Sequence, residues 1–225
     1  MYYDPEVALL YEGGFRSEFF DHRVRLNGTG FYTKFTNEQV QVFVPPVSSI
    51  LNAGKSHQSG AELEMQAAPT DDILIDGSLG YLHAEYDVYP FNGNNIASIA
   101  HETQSPKLTA HIGAQYTWAQ DWYGVPRFRI DYSFRDAYFK DHVDALQAFP
   151  TLGKAKPFNK LDIRLSFSDF KLGSGVGRFE VYGQNILDQH PFYGATDFGP
   201  GRFNFMWKVL GPGATYGAAL TIDLD

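Results

Sequence analysis

Cysteine is absent from the 225 residues, which excludes disulfides and thiolate metal sites and leaves the compartment open. Basic residues are in the minority, 18 Lys and Arg against 26 Asp and Glu for a net charge of −8, and that balance argues against a nucleic-acid partner, whose binding would rest on basic patches. No window holds the ~18 consecutive apolar residues of a membrane helix, and the start, Met1 to Glu6, lacks a basic flank and an apolar run. Neither a helical span nor a signal peptide is expected. Segments of helical period are missing as well. So are the patterns of common chemistry: His22, His57, His83, His101, His111, His142 and His190 fall in no HxxxH or clustered spacing, and no GxSxG nucleophile context occurs. The expectation is a protein that is not an enzyme and that carries no cofactor and no metal.

What the chain has is alternation. Leu108, Ala110, Ile112, Ala114, Tyr116 and Trp118 are separated by Thr109, His111, Gly113, Gln115 and Thr117; Phe128, Ile130, Tyr132 and Phe134 are separated by Arg129, Asp131 and Ser133. A strand built this way has one apolar and one polar face along its whole length. The same period marks 11–19, 24–35, 61–67, 73–81, 161–168, 179–186 and 215–224. About nine strands are expected, most of them spanning the ~9–11 residues that a tilted transmembrane strand needs. Pro45-Pro46 is expected to end any pairing nearby. The 22 Gly and the aromatic share of 16% fit an all-β protein.

The connections carry a second period. Those at 21–23, 68–72, 120–125 and 171–177 are short, while those at 42–55, 87–105, 138–157 and 188–213 are long. In an up-and-down meander, strict alternation puts the short turns at one end and the long loops at the other, as in outer-membrane barrels. The polar face carries full charges in mid-strand, among them Glu62, Glu64, Asp76, Arg129, Asp131, Asp162 and Arg164. Tyr81, Tyr86, Tyr116, Trp118, Tyr132 and Tyr138 are expected at the interfacial girdles. The fold expected is an antiparallel up-and-down transmembrane β-barrel with lipid outside and a polar lumen inside. A self-contained soluble or porin-like barrel that binds a small ligand is the alternative.

Several segments, in order, resemble the C-terminal barrel portion of TonB-dependent outer-membrane receptors. Asp4-Pro5-Glu6 followed by Tyr11-Glu12-Gly13-Gly14-Phe15-Arg16-Ser17-Glu18 is similar to an entry strand of that family, and Phe31-Tyr32-Thr33 to the strand after it. Asn52-Ala53-Gly54-Lys55 with Gly60-Ala61-Glu62-Leu63-Glu64, Gly80-Tyr81-Leu82-His83-Ala84, Tyr182-Gly183-Gln184-Asn185-Ile186-Leu187-Asp188 and Thr215-Tyr216-Gly217 resemble later ones. The resemblance implies a Gram-negative outer-membrane receptor that takes up a scarce ligand such as a ferric siderophore, energised by the TonB complex through a plug domain. Since that barrel class has far more strands, residues 1–225 are expected to be its C-terminal part, with the plug and N-terminal strands absent. The partners implied are outer-membrane lipid, those missing parts, the TonB complex and a small-molecule ligand.

Three features invite sharper readings. Glu62 and Glu64, i and i+2 on one strand face, read as lumen wall or plug contacts rather than as a catalytic pair. Gly173-Ser174-Gly175-Val176-Gly177 lacks the Lys and the helix of a phosphate loop and reads as a turn. Asn27-Gly28-Thr29 matches a glycosylation acceptor by chance, within a strand. If a ligand is bound, its expected contacts lie on the long-loop side at Arg135, Asp136, Tyr138, His142 and Trp207.

Overall fold

A computed structural model describes residues 4–44, 47–52, 54–91, 93–119, 123–143, 153–197 and 205–224. The alternating segments form one antiparallel sheet: β1 (Val7–Phe19), β2 (Val24–Thr36), β3 (Lys55–Ala67), β4 (Ile73–Val88), β5 (Leu108–Thr117), β6 (Val125–Arg135), β7 (Phe158–Leu172), β8 (Gly175–Gln184) and β9 (Thr215–Asp223). Each pairs with its neighbours in sequence, so the order is that of a pure meander, with β1 and β9 at the two edges. The strands run from 9 to 16 residues, well beyond the ~5–6 usual in globular sheets.

Register makes the two faces continuous. Tyr11 lies opposite Tyr32, Leu26 opposite Met65, Leu63 opposite Leu79, Ile112 opposite Tyr132, Phe167 opposite Phe179 and Phe179 opposite Leu220. A slip of one residue anywhere would turn a strand's apolar row to the charged side, so each pairing is fixed by the pattern. The one break within β7 preserves that pattern. A bulge between Ser168 and Phe170, with Asp169 at φ 64°, returns Phe170 to the apolar side, where its ring stacks 5.5 Å from Phe167.

Among the described residues no second layer covers the apolar face. Phe15, Leu63, Leu79, Ile112, Leu165, Phe179 and Leu220 are between 41% and 59% exposed, whereas the buried apolar residues, such as Tyr86, Tyr89, Ala100, Tyr138, Ala155 and Phe192, lie at the strand ends and in the loops. A soluble sandwich buries this face against another sheet or helix layer. Here it suits hydrocarbon. Tyr11, Tyr32, Tyr81, Tyr132 and Tyr216 stand on the apolar face toward the long-loop ends, and Phe19, Tyr116, Trp118, Phe167 and Phe179 toward the short-turn ends. These are the two girdles. Tyr86 and Tyr138 do not belong to them, because both are buried on the loop side, at 6% and 8% exposure.

Short and long connections alternate as expected. The turn between β7 and β8 is tighter than 171–177, since Leu172 already pairs with Gly175 and only Gly173 and Ser174 lie between. The long connections are structured. They hold the hairpins Gln39–Val44 with Val47–Asn52 and Phe192–Asp197 with Met206–Leu210, the smaller pairs Pro90–Phe91 with Asn94–Asn95 and Tyr138–Phe139 with Lys154–Ala155, and a 3-10 turn at Ala97–Ile99. Pro45-Pro46 lie outside the described residues, but pairing does not end beside them: Val44 is paired with Val47. Proline cannot donate inside a ladder, a limit that falls on the proline itself and not on the residues flanking it.

Candidate functional site

On the polar face the register brings Asp76, Gly113 and Asp131 side by side on β4, β5 and β6. Arg129 spans both carboxylates, with Nη1 2.9 Å from Asp76 Oδ1, Nη2 3.1 Å from Asp76 Oδ2, Nε 2.9 Å from Asp131 Oδ2 and Nη2 2.6 Å from Asp131 Oδ1. The space for its guanidinium comes from Gly113. A Cβ there would lie 2.5 Å from Arg129 Nη2 and within 3 Å of both aspartates. His111 completes the group, its Nε2 3.2 Å from Asp76 Oδ2 and its Nδ1 3.2 Å from Ser133 Oγ. Beside it lies a cleft of about 310 Å³ lined by Arg25, Asn27, Glu64, Gln66, Ser78 and His111. Glu62 and Glu64 sit on this same wall, and Asn27 Nδ2 reaches Glu64 Oε2 at 3.5 Å.

At the long-loop end, two packed groups form. In the first, Ser56 and Tyr86 close the polar face of β3 and β4 against Glu38, Tyr89, Ala100, Glu102 and His142. Tyr86 Oη lies 3.0 Å from His142 Nδ1, and Ser56 Oγ donates to Glu38. Burial, and after it the neighbouring Glu38, push the Glu102 carboxyl up to about 7; burial also raises Glu38 and lowers His142. Two carboxyls in one buried space do not both ionise readily, so the pair holds a proton to higher pH than a free carboxyl does. In the second group, the Arg135 guanidinium lies 4.7 Å from the Tyr138 ring centroid and 5.7 Å from that of Phe158. Its Nε and Nη2 are buried without a hydrogen-bond partner among the described residues. Tyr138 donates its hydroxyl to the Phe192 carbonyl at 2.9 Å.

A family model described as "TonB dependent receptor-like, beta-barrel" matches residues 2–186. The chain belongs to that family. A probable TonB-dependent siderophore receptor, PiuA of Acinetobacter baumannii, is 27% identical in a 135-residue alignment that covers 51% of this chain and 18% of that protein. Among solved structures, the ferric yersiniabactin uptake receptor FyuA of Yersinia pestis is similar at a TM-score of 0.73 and 20% identity, over 96% of this chain and 29% of its own. The ferric-catecholate import receptor Fiu of E. coli K12 is similar at 0.69 and 16%, over 98% and 28%. The chain thus spans under a third of the length of these receptors.

The family's recurrent segments act here as structural clamps. Asn52 Nδ2 donates to the Asn37 carbonyl at 2.7 Å and the Asn37 amide to the Gly54 carbonyl at 2.6 Å, closing the base of the 39–52 hairpin. Asn185, buried and at φ 52°, donates to the carbonyls of Gln189 (2.6 Å) and Pro212 (3.3 Å), while its own amide donates to Asp162 Oδ1 at 2.7 Å. Asp188 Oδ1 accepts from the Ala214 amide at 2.8 Å, setting the entry to β9.

Of the five residues expected on the loop side of this TonB-dependent receptor barrel, Arg135 and Tyr138 are brought together. Asp136 Oδ1 accepts from the Ala137 amide at 2.7 Å, in the adjoining turn. His142 belongs to the Glu38–Glu102 group, and Trp207 is 51% exposed on the Phe192–Asp197/Met206–Leu210 hairpin. Sequence spacing missed the Glu38–Glu102 pair altogether. It also read the histidines as unclustered, whereas strand register gathers His57, His83 and Glu85, and separately Asp76, His111 and Asp131, with donor atoms within 4.8 Å of one another. No linear pattern signals residues joined only by cross-strand pairing.

Proposed function

We propose that this chain is the C-terminal part of the barrel wall of a Gram-negative outer-membrane receptor that takes up a scarce ligand, such as a ferric siderophore, with energy delivered by TonB through a plug domain. The observation that carries the reading is the division of one long-stranded meander into an uncovered apolar face and a charged face, in a chain of this family. The naming of PiuA, FyuA and Fiu as siderophore or ferric-chelate receptors supports the ligand class. The sheet edges at β1 and β9 pair with the remaining barrel strands, because an unpaired edge in hydrocarbon leaves backbone groups unsatisfied at several kcal/mol each. The charged wall around Arg129 faces the water-filled lumen and the plug, and Arg135, Asp136, Tyr138, His142 and Trp207 contact the ligand as it enters from the loop side. Receptor and transporter chemistry of this kind needs binding and gating, with no bond made or broken.

The test is uptake of radioactive iron by iron-starved cells that express the intact protein as their only ferric-siderophore receptor, offered catecholate, hydroxamate and hydroxycarboxylate chelates in turn. Uptake of at least one chelate that disappears in a strain lacking TonB is expected. Equal uptake with and without TonB, or none for any chelate from correctly inserted protein, overturns the proposal.

A further inference from the structure

Near the long-loop end, the apolar face gives way to titratable side chains. Glu85 of β4 lies directly opposite His57 of β3, with His83 and Asp87 two residues to either side of Glu85. These are the direct and diagonal neighbours whose side chains meet across an antiparallel pair. A register shift at Lys55 and Ser56 leaves Asp87 as the extra residue on β4, and its Oδ1 lies 3.0 Å from His57 Nδ1. Bulges commonly re-aim a side chain in this way. The Tyr32 ring stacks on His57 at 6.1 Å, the two imidazoles are 6.3 Å apart, and His83 Nε2 is 3.3 Å from Glu85 Oε1. One donor atom from each of His57, His83 and Glu85 falls within 4.8 Å of the other two.

Depth gives this cluster its setting. His57 precedes the short-turn end of β3 at Ala67 by ten residues (67 − 57), and His83 follows the start of β4 at Ile73 by ten (83 − 73). At ~3.3 Å per residue and a ~40° tilt, ten residues rise ~25 Å, the height of the apolar band of such barrels. The cluster therefore stands where hydrocarbon ends and a hydrated ion can reach it.

We propose that His57, His83 and Glu85 form a site for a divalent transition ion such as zinc, on the lipid-facing side of the wall at headgroup level. Two imidazoles and one carboxylate are a borderline-soft donor set that suits zinc, and three protein ligands leave a fourth position for water. Asp87 acts from behind: holding Nδ1 of His57, it orients the ring and leaves Nε2 for the metal, the carboxylate–histidine arrangement that supports metal-bound imidazoles. Glu85 and Asp87 bring two carboxylates to meet the dication. The ion would tie β3 to β4 just outside the buried Ser56 and Tyr86.

The intact protein, stripped by chelator in detergent, is titrated with zinc by calorimetry and with cobalt by visible absorption. One zinc equivalent is expected to be lost in the His57→Gln/His83→Gln double variant and kept in His190→Gln. Asp87→Asn is expected to weaken that equivalent about 10- to 100-fold without removing it. Cobalt is expected to give intense tetrahedral bands in the parent and to lose them in the double variant. Resistance to SDS at room temperature confirms that each variant is folded. Unchanged zinc stoichiometry in the folded double variant, or no zinc equivalent in the parent, overturns the site, and neither result bears on siderophore uptake.

Discussion

Replacing Leu79 by Arg tests which solvent the apolar face meets. Leu79 is 46% exposed and lies opposite Leu63 on one side and Ala110 on the other. It stands six residues beyond Ile73 (79 − 73), so at ~3.3 Å per residue and ~40° tilt it lies ~15 Å into a band ~25 Å tall, close to the midplane. An arginine there costs about 2–4 kcal/mol, a factor of about 30 to 900 in the folded population. The neighbouring Ser78 supplies the control, because it lies on the charged face opposite Glu64 and lines the cleft. Ser78→Arg places the same charge one residue away, in water and beside a carboxylate, and is expected to cost no more than about 1 kcal/mol. The assay is urea titration of the intact protein in phosphatidylcholine vesicles, with the folded fraction read by protease protection and SDS resistance. If Leu79→Arg costs no more than Ser78→Arg, hydrocarbon is not the neighbour of this face, and the membrane placement of the sheet fails with it.

Three further changes probe the clamps and the loops. Asn185→Ala removes three side-chain hydrogen bonds at a buried position of positive φ, and a loss of about 1–3 kcal/mol in the same titration is expected, with Asn185→Gly losing less than Asn185→Ala if backbone conformation contributes. The Glu102 carboxyl is raised in the folded state from 4.5 to about 7, so the folded loops hold a proton that the opened ones release. The stability that Glu102 contributes should be fully present below pH 4.5, fall as pH rises toward 7 and be gone above it, opposite in sign to the contribution of the lowered His142; the difference between the parent and Glu102→Gln in amide exchange of residues 97–103 checks this. Gly113→Ala drives a methyl into Arg129 and should separate it from one aspartate, destabilising the wall by about 1–3 kcal/mol, a loss that an Arg129→Lys background should reduce.

The wall was legible because its rule is local. Each strand's two-residue period declares both faces, and the alternation of short and long connections declares the topology, so Ile112 and Asp131 could be assigned to opposite sides from sequence. The loop end follows no such rule. Tyr86 and Tyr138 have the spacing of girdle residues, yet parity turns Tyr86 inward onto Glu38 and Glu102, and the Tyr138–Phe139 pairing draws Tyr138 beneath Phe192. The pairing of Val44 with Val47 was hidden for a different reason, since proline's exclusion from ladders says nothing about the residues that flank it.

The same contrast bears on how such a wall can hold function. In the inner strands of the sheet, paired residues have a neighbour on each side at known register, and a cluster such as Asp76, Arg129 and Asp131 needs only a glycine between two aspartates to exist. Charges on that face are held by one another, so they can stand in a water-filled lumen without depending on a ligand. At the loop end the reverse holds: Glu102 Oε1, Tyr89 Oη and two nitrogens of Arg135 are buried with no hydrogen-bond partner among the described residues, each at a cost of about 1–3 kcal/mol. Groups left unsatisfied at the loop end of the sheet are the ones a neighbouring loop or a bound molecule can still satisfy. Binding energy is therefore available on the loop side and largely spent within the wall, which in the proposed receptor assigns ligand selection to the loops and passage to the lumen.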